Sequence, residues 1–252
     1  MITKTPAPHA LALALSAVLT AGLAVTVTAA APAHAAPGDG ECGGGYVGLT
    51  FDDGPTPEYT TPLLAALREN GVRATLFNIG QKAEKNQDLV AAEKDAGMWI
   101  ANHSWSHPRM TQLPEDEIET ELRRTQDLLE KITGTAPVLF RPPYGDTDAW
   151  VEDIAARLGM TEIIWDVDTR DWSGKSTEEI VAEAITVEAG EVVLMHDGYP
   201  ATIEAIPAIV ENLKSRDLCP GMISPTTRKA VAPPRRRPVR RPVRRPVRRP
   251  VR

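Results

Sequence analysis

The sequence predicts an α/β domain built on a parallel sheet covered by helices. Strand-like and helix-like segments alternate from residue 46 to residue 224, the pattern of successive βα units. The strand-like segments are apolar without polar alternation, as strands buried on both faces are. The unusual polar clusters each follow such a segment: Asp52-Asp53, His103 with His107, Arg141 to Gly145, Asp168 to Trp172, and His196-Asp197. Polar clusters at the carboxyl ends of successive parallel strands form one active face. Six or seven units can make an open doubly wound sheet or a closed barrel, and periodicity does not choose between them.

The first strand reads YVGLTF, residues 46–51, and stops at Asp52-Asp53-Gly54-Pro55. A turn explains Asp53-Gly54-Pro55 and leaves Asp52 over. TPEYTTPLLAALRENG (56–71) follows as an amphipathic helix stopped by Gly71. RATLFNIG (73–80) is a second strand and NQDLVAAEKDAG (86–97) a second helix. MWIAN (98–102) leads into LPEDEIETELRRTQDLLEKITG (113–134), a long helix opened by Pro114 and acids and closed by Gly134. PVLF (137–140), TEIIWDV (161–167) and EVVLMH (191–196) are further strands, separated by the helices TDAWVEDIAARLG (147–159) and STEEIVAEAITVEAG (176–190). ATIEAIPAIVENLKSRD (201–217) is the last helix, and GMIS (221–224) a last short strand.

The two ends read differently. Residues 1–35 carry one charge, Lys4, then the apolar run LALALSAVLTAGLAVTVTAA and the small-residue site Ala33-x-Ala35. These are the parts of a secretory signal peptide cleaved before Ala36, although the apolar run is long enough to span a bilayer if it stays uncut. No other segment could cross a membrane, so the mature protein is expected outside the cell and off the membrane. Residues 228–252 repeat Pro-Val-Arg-Arg, a composition expected to give an extended, solvated basic tail. That tail holds twelve basic residues and no acid; without it and Lys4, 15 basic face 34 acidic residues, or −19 for residues 36–227. An acidic domain repels phosphate, which argues against nucleic acid as a partner. About 190 residues suffice for one domain with a full core. Its only cysteines, Cys42 and Cys219, are expected to form a disulfide that staples the domain's ends in an oxidising compartment.

Outside the leader there are only three histidines: His103, His107 and His196. On one helical turn the i, i+4 spacing of His103 and His107 aims both imidazoles at a common point. Two neutral imidazoles and one carboxylate make a three-ligand zinc site with a vacant position for water. A second carboxylate held off the metal can take a proton from that water. An Asp pair is explained this way: one is a ligand, its neighbour a base.

TFDDGP (50–55), HSWSH (103–107), RPPYG (141–145), DTRDW (168–172) and LMH (194–196), in this order and spacing, resemble the five motifs of the NodB-homology polysaccharide deacetylases, carbohydrate esterase family 4. The similarity covers residues 42–227 and is closest to the secreted bacterial acetylxylan esterases of that family, through GYVGLTFDDGP, MWIANHS, IWDVD and LCPGMISP. The resemblance implies a distorted (β/α)7 barrel with a shallow substrate groove. It implies Asp53, His103 and His107 as ligands of one divalent ion, Zn2+ or Co2+, and Asp52 as the base. His196 matches the acid that protonates the leaving group, Arg141 the residue that holds the base, and Asp171 the residue that tunes His196, with Asp168 as a rival. The Tyr144 N–H corresponds to an oxyanion donor, and Trp172 and Leu194 to an apolar wall around the acetyl methyl.

The expected activity is hydrolysis of acetyl groups from an acetylated polysaccharide, O-acetyl xylan first and N-acetylglucosamine polymers such as chitin or peptidoglycan as the alternative. A catalytically inactive carbohydrate-binding module of the same fold is a further alternative. A Ser-His-Asp esterase is disfavoured by the lack of a G-x-S-x-G elbow, and a glycosidase would not require the histidine pair. The protein is expected to act as a monomer, with its basic tail available to an anionic cell-wall polymer.

Overall fold

A computed structural model describes residues 42–234. The leader and residues 235–252 lie outside the described residues. Strand β1 (Gly45–Gly54) is the longest and sits centrally, followed by α1 (Thr60–Glu69), β2 (Thr75–Asn78), α2 (Gly80–Lys85), α3 (Gln87–Asp95) and β3 (Trp99–Asn102). Next come α4 (Glu115–Thr133), β4 (Leu139–Phe140), α5 (Ala149–Arg157), β5 (Thr161–Glu162), β6 (Val167–Asp168) and α6 (Thr177–Ala184). The chain ends through β7 (Val192–His196), α7 (Pro200–Ser215), β8 (Leu218–Pro220), β9 (Met222–Ile223) and β10 (Ala230–Val231). The sheet order is β5-β4-β3-β2-β1-β7-β6, all parallel, with β8 added to the start of β1.

The barrel expectation holds as a curled parallel half-barrel wrapped by helices. The gap has a local cause. TEIIWDV, read as one strand, divides into β5 and β6, which pair with opposite ends of the sheet, β4 and β7. No ladder joins β5 to β6 among the described residues. Residues 163–166 join the two edges instead.

Alternation sorts each strand between two cores. Val47, Leu49 and Phe51 of β1 pack outward with Leu76, Val193 and Met195 against α1, α6 and α7. Phe77, Ala101, Leu139, Ile163, Val192 and Ile223 fill the inside of the curl. On β1 the inward positions are Gly48, Thr50 and Asp52, opposite in parity to Val47, Leu49 and Phe51. A Cβ at Gly48 would stand 3.2 Å from Ile223 and 3.3 Å from Val192. The amino end of the half-barrel is thus plugged by β9, and its polar residues collect at the carboxyl end.

Two further segments depart from the sequence reading. RATLFNIG ends as a strand at Asn78, and Gly80 opens the unforeseen α2. A Cβ at Gly80 would lie 2.3 Å from the Trp105 ring and 2.4 Å from Thr125 Oγ1, so glycine here lets α2 approach α4. The basic tail begins later than residue 228. Arg228 pairs with Glu152, Ala230 is buried, and β10 lies antiparallel to β9. Cys42 and Cys219 form a disulfide with Cα atoms 5.9 Å apart. It closes a loop of 177 residues, for which chain entropy gives roughly 5 kcal/mol. Among the described residues no helix is long and apolar enough to cross a membrane.

Candidate active site

The end of β1 carries a bulge. Asp52 pairs with Phe77 and Gly54 with Asn78, which leaves Asp53 as the extra residue, at φ 68°. A bulge re-aims a side chain at a strand end. Here Asp52 keeps its inward orientation and is buried, while Asp53 turns over the rim and stays partly exposed. Gly54 is required next, because a Cβ would come 2.8 Å from Asn78 Oδ1 and 2.9 Å from Asp197 Oδ2. Lys82 Nζ donates to the Asp53 carbonyl at 2.7 Å.

His103 and His107 do not share a helical turn. The segment after β3 is an irregular loop with Ser104 and His107 both at φ 62°. Side chains hold it where helix bonds would have. Asn102 Oδ1 accepts from the Ser104 N–H at 2.9 Å, and Ser104 Oγ from the His107 N–H at 3.1 Å. The Glu121 carboxylate, reaching from α4, accepts from the N–H groups of Trp105 and Ser106 and from Ser106 Oγ, at 2.7–2.8 Å. The i, i+4 expectation gave the correct convergence from the wrong backbone. Pro108 blocks an αR conformation at His107, and the Glu121 bonds favour the loop.

His103 Nδ1 lies 2.8 Å from the Arg141 carbonyl, which fixes Nδ1 as the donor and leaves the Nε2 lone pair free. That lone pair faces Asp53 Oδ1 at 3.4 Å, and His107 Nε2 stands 3.2 Å from the same oxygen. Asp53 Oδ1 is buried and accepts no hydrogen bond among the described residues. Lone pairs turned toward one another repel unless a cation sits between them. All three ligand atoms lie within 4.8 Å of one another. Donors at zinc's usual 2.0–2.1 Å in a tetrahedron stand about 3.3 Å apart, so the observed spacings suit such an ion. Burial pushes the Asp53 carboxyl up, but positive charge at the His103 and His107 positions facing it outweighs burial and holds the group well below the carboxylate range.

Asp52 flanks this cluster. Its Oδ2 is 3.6 Å from His103 Nε2, and its Oδ1 accepts from Arg141 at 2.7 Å. Arg141 follows β4 and is fully buried, donating also to Thr50 Oγ1 and to the carbonyls of Ile163 and Ile164. Its guanidinium lies 4.2 Å over the Phe77 ring. Burial pulls the guanidinium's pKa down and Asp52 works in the opposite direction. An arginine held by four oxygens between apolar rings can orient a carboxylate without exchanging protons.

On the strand beside β1, His196 ends β7, in register with Asp52. Its Nδ1 bonds Asp171 Oδ1 at 2.7 Å, and its N–H donates to Asp171 Oδ2 at 2.8 Å. Thr202 Oγ1 and the Trp172 N–H complete the Asp171 shell. Burial disfavours the imidazolium, but Asp171 first, then Asp52 and Asp53, raise the His196 pKa above its ordinary value. Asp168, the rival of Asp171, instead accepts from the Arg170 N–H at 2.9 Å. Tyr144 sits at φ 61°, its ring edge-on to His107 at 4.6 Å between centroids. Trp172 is exposed at the rim, and Leu194, two residues before His196 on the inward face of β7, is buried.

The structure therefore brings Asp52, Asp53, His103, His107, Arg141, Tyr144, Asp171, Trp172, Leu194 and His196 to one face. Sequence reasoning missed Asn102, Ser104 and Glu121, whose work is to shape the histidine loop; Glu121 shows only as one acid among many on α4. It also missed Glu93 of α3, fully buried, with Oε2 accepting from Asn78 at 2.6 Å and burial raising its pKa to about 8.

A family model described as polysaccharide deacetylase matches residues 39–163. The chain is 53% identical to a family 4 carbohydrate esterase from Streptomyces lividans, solved in complex with acetate, with a TM-score of 0.73 over 75% of this chain and 98% of that one. It is 41% identical to a bifunctional xylanase/xylan deacetylase of Cellvibrio japonicus over 75% of this chain and 29% of that protein. A chitooligosaccharide deacetylase of Azorhizobium caulinodans is 33% identical over 60% of this chain and 73% of its own length. The chain spans about a third of the length of the first curated relatives it matches, 29–36%.

Proposed function

The chain belongs to the polysaccharide deacetylase family, and we propose that it is a secreted hydrolase that removes acetyl groups from an acetylated polysaccharide, O-acetyl xylan in preference, with one divalent ion, Zn2+ or Co2+, held by Asp53, His103 and His107. The observation that carries the reading is the three-ligand cluster beside two neighbouring strand ends, one carrying Asp52 held by Arg141 and the other His196 held by Asp171. Those are the parts a hydrolysis needs: an electrophile site, a base and an acid.

When bound, the ion supplies Lewis acidity to the acetyl carbonyl and to the attacking water. Asp52, oriented by Arg141, takes the proton from that water at Oδ2, the oxygen not engaged by the guanidinium. The left-handed turn at Tyr144 offers its N–H to the developing oxyanion. His196, its Nδ1 held by Asp171, delivers a proton from Nε2 to the departing sugar oxygen or nitrogen. Trp172 and Leu194 close the space around the acetyl methyl and exclude water from it.

The preference for O-acetyl xylan rests on the similarity to the carbohydrate esterase and the xylan deacetylase. The similarity to a chitooligosaccharide deacetylase favours a second reading, an N-deacetylase of N-acetylglucosamine polymers. Acetate release from acetylated xylan and from hexa-N-acetylchitohexaose, assayed side by side, separates the two. Chelation is expected to abolish release, and Zn2+ or Co2+ to restore it. Full-rate turnover by protein shown metal-free by elemental analysis would overturn the mechanism.

The leader directs secretion in this reading, and the basic tail holds the enzyme to anionic wall polymers. The tail's point of departure suits a tether. The Ala230 N–H bonds the Gly190 carbonyl just ahead of β7, so the chain leaves at the amino ends of the strands, away from the active face.

A further inference from the structure

Six large hydrophobic side chains are exposed among the described residues, and five of them follow the carboxyl end of a strand. Tyr144 and Trp150 follow β4, Ile164 follows β5, Trp172 follows β6 and Tyr199 follows β7. Exposed apolar surface gathered on one face marks an interaction site. Tyr144 and Tyr199 lie against His107 and His196, at 4.6 and 6.1 Å between ring centroids, and Trp172 adjoins Asp171. These three belong to the centre already described.

Trp150 does not. It is the second residue of α5, and Val151, its neighbour, supplies the helix's buried face. Because α5 begins after the carboxyl end of β4, Trp150 in its first turn lies toward that end of the sheet, 59% exposed. The segment leading to it is held by side-chain hydrogen bonds. Asp146 accepts from the Thr111 N–H and Oγ1, Thr147 donates to Glu162, and Asp148 caps α5 through the Trp150 and Val151 N–H groups. Trp150 stands six positions after Tyr144, so their Cα atoms lie at most about 20 Å apart, a span that a short oligosaccharide bridges.

We propose that Trp150 is a stacking platform for a sugar of the substrate chain beyond the unit being deacetylated, which makes the enzyme favour polymers over short oligosaccharides. The inference rests on the deacetylase reading above. A pyranose presents a face of C–H bonds, partially positive and apolar, that complements the negative face of an aromatic ring. A pinned platform binds without first ordering itself. Its occupant is the continuation of the chain whose acetyl group lies at the centre, because the same face carries both.

The test compares full-length, metal-loaded enzyme with Trp150→Ala and Trp150→Phe on acetylated xylan and acetylated xylobiose, with hexa-N-acetylchitohexaose and diacetylchitobiose in parallel, reading KM and kcat from released acetate. The Ala variant is expected to raise KM for the long substrate about tenfold more than for the disaccharide. The Phe variant, which keeps an aromatic face, is expected to retain most of the native length ratio. Equal KM changes on long and short substrates, or a Phe variant as impaired as Ala, overturn the platform alone. If the unaltered enzyme releases no acetate from any of the four, the functional reading falls and this inference with it.

Discussion

Asp52 and Asp53 are neighbours in sequence with opposite surroundings, and the bulge between them is the reason. Asp52 remains in register, buried against Arg141, while Asp53 leaves the ladder and turns to the histidines. Their variants should fail differently. Asp53→Asn replaces an anionic ligand with a neutral amide and is expected to lose metal affinity. Asp52→Asn should keep metal stoichiometry and lose about 10²–10⁴-fold in turnover, the usual effect of removing a general base. Metal content and acetate release on both variants check this; retention of metal and activity by both would return the pair to an ordinary turn. His196 supplies a pH prediction at the same scale. Asp171 raises its pKa, so the imidazolium persists to higher pH. Asp171→Asn is expected to move the alkaline limb of the kcat profile to lower pH and to reduce its plateau, read from pH–rate curves.

The elements succeed where tertiary partners finish what local propensity leaves open. The histidine loop has little regular structure, and the Glu121 carboxylate on α4 satisfies three of its donors. Glu93 on α3 is less accommodated, with one oxygen bonded to Asn78 and the other buried without a partner among the described residues. Its pKa rises from 4.5 to about 8. Below about pH 4.5 both folded and unfolded states hold the proton. Between that and about pH 8 only the folded state does, so stability falls as pH rises through this window. Glu93→Gln, which carries no titrating proton, should flatten that decline, by up to a few kcal/mol. Thermal unfolding from pH 5 to pH 9 measures it, and parallel curves for the two proteins would show that Glu93 does not titrate in this range.

For the whole molecule, charge is divided between an acidic domain and a basic tail, and the disulfide draws the segment before β1 to β8. Truncation after Pro234 leaves β10 in place and removes ten arginines. Full-length protein is expected to be retained on isolated cell walls at low salt and released as salt screens the charges. The truncated form should elute early throughout while releasing acetate from soluble substrate at an undiminished rate. Equal retention at low salt would remove the tether from the proposal.

The sequence by itself determined the alternating elements, the buried apolar character of the strands, the face on which the polar clusters meet and the residues in those clusters, because apolar runs and strand ends are local properties of the chain. It also carried the family motifs. Tertiary structure decided the bulge that separates Asp52 from Asp53, the loop under His103 and His107, the division of TEIIWDV into two strands and the choice of Asp171 over Asp168. Each of those depends on partners far away in sequence, such as Glu121 for the loop, β4 and β7 for the divided strand, and His196 for Asp171. A local pattern specifies which face of an element is buried. Which groups then meet across the curl depends on register and curvature, which exist only once the sheet has formed.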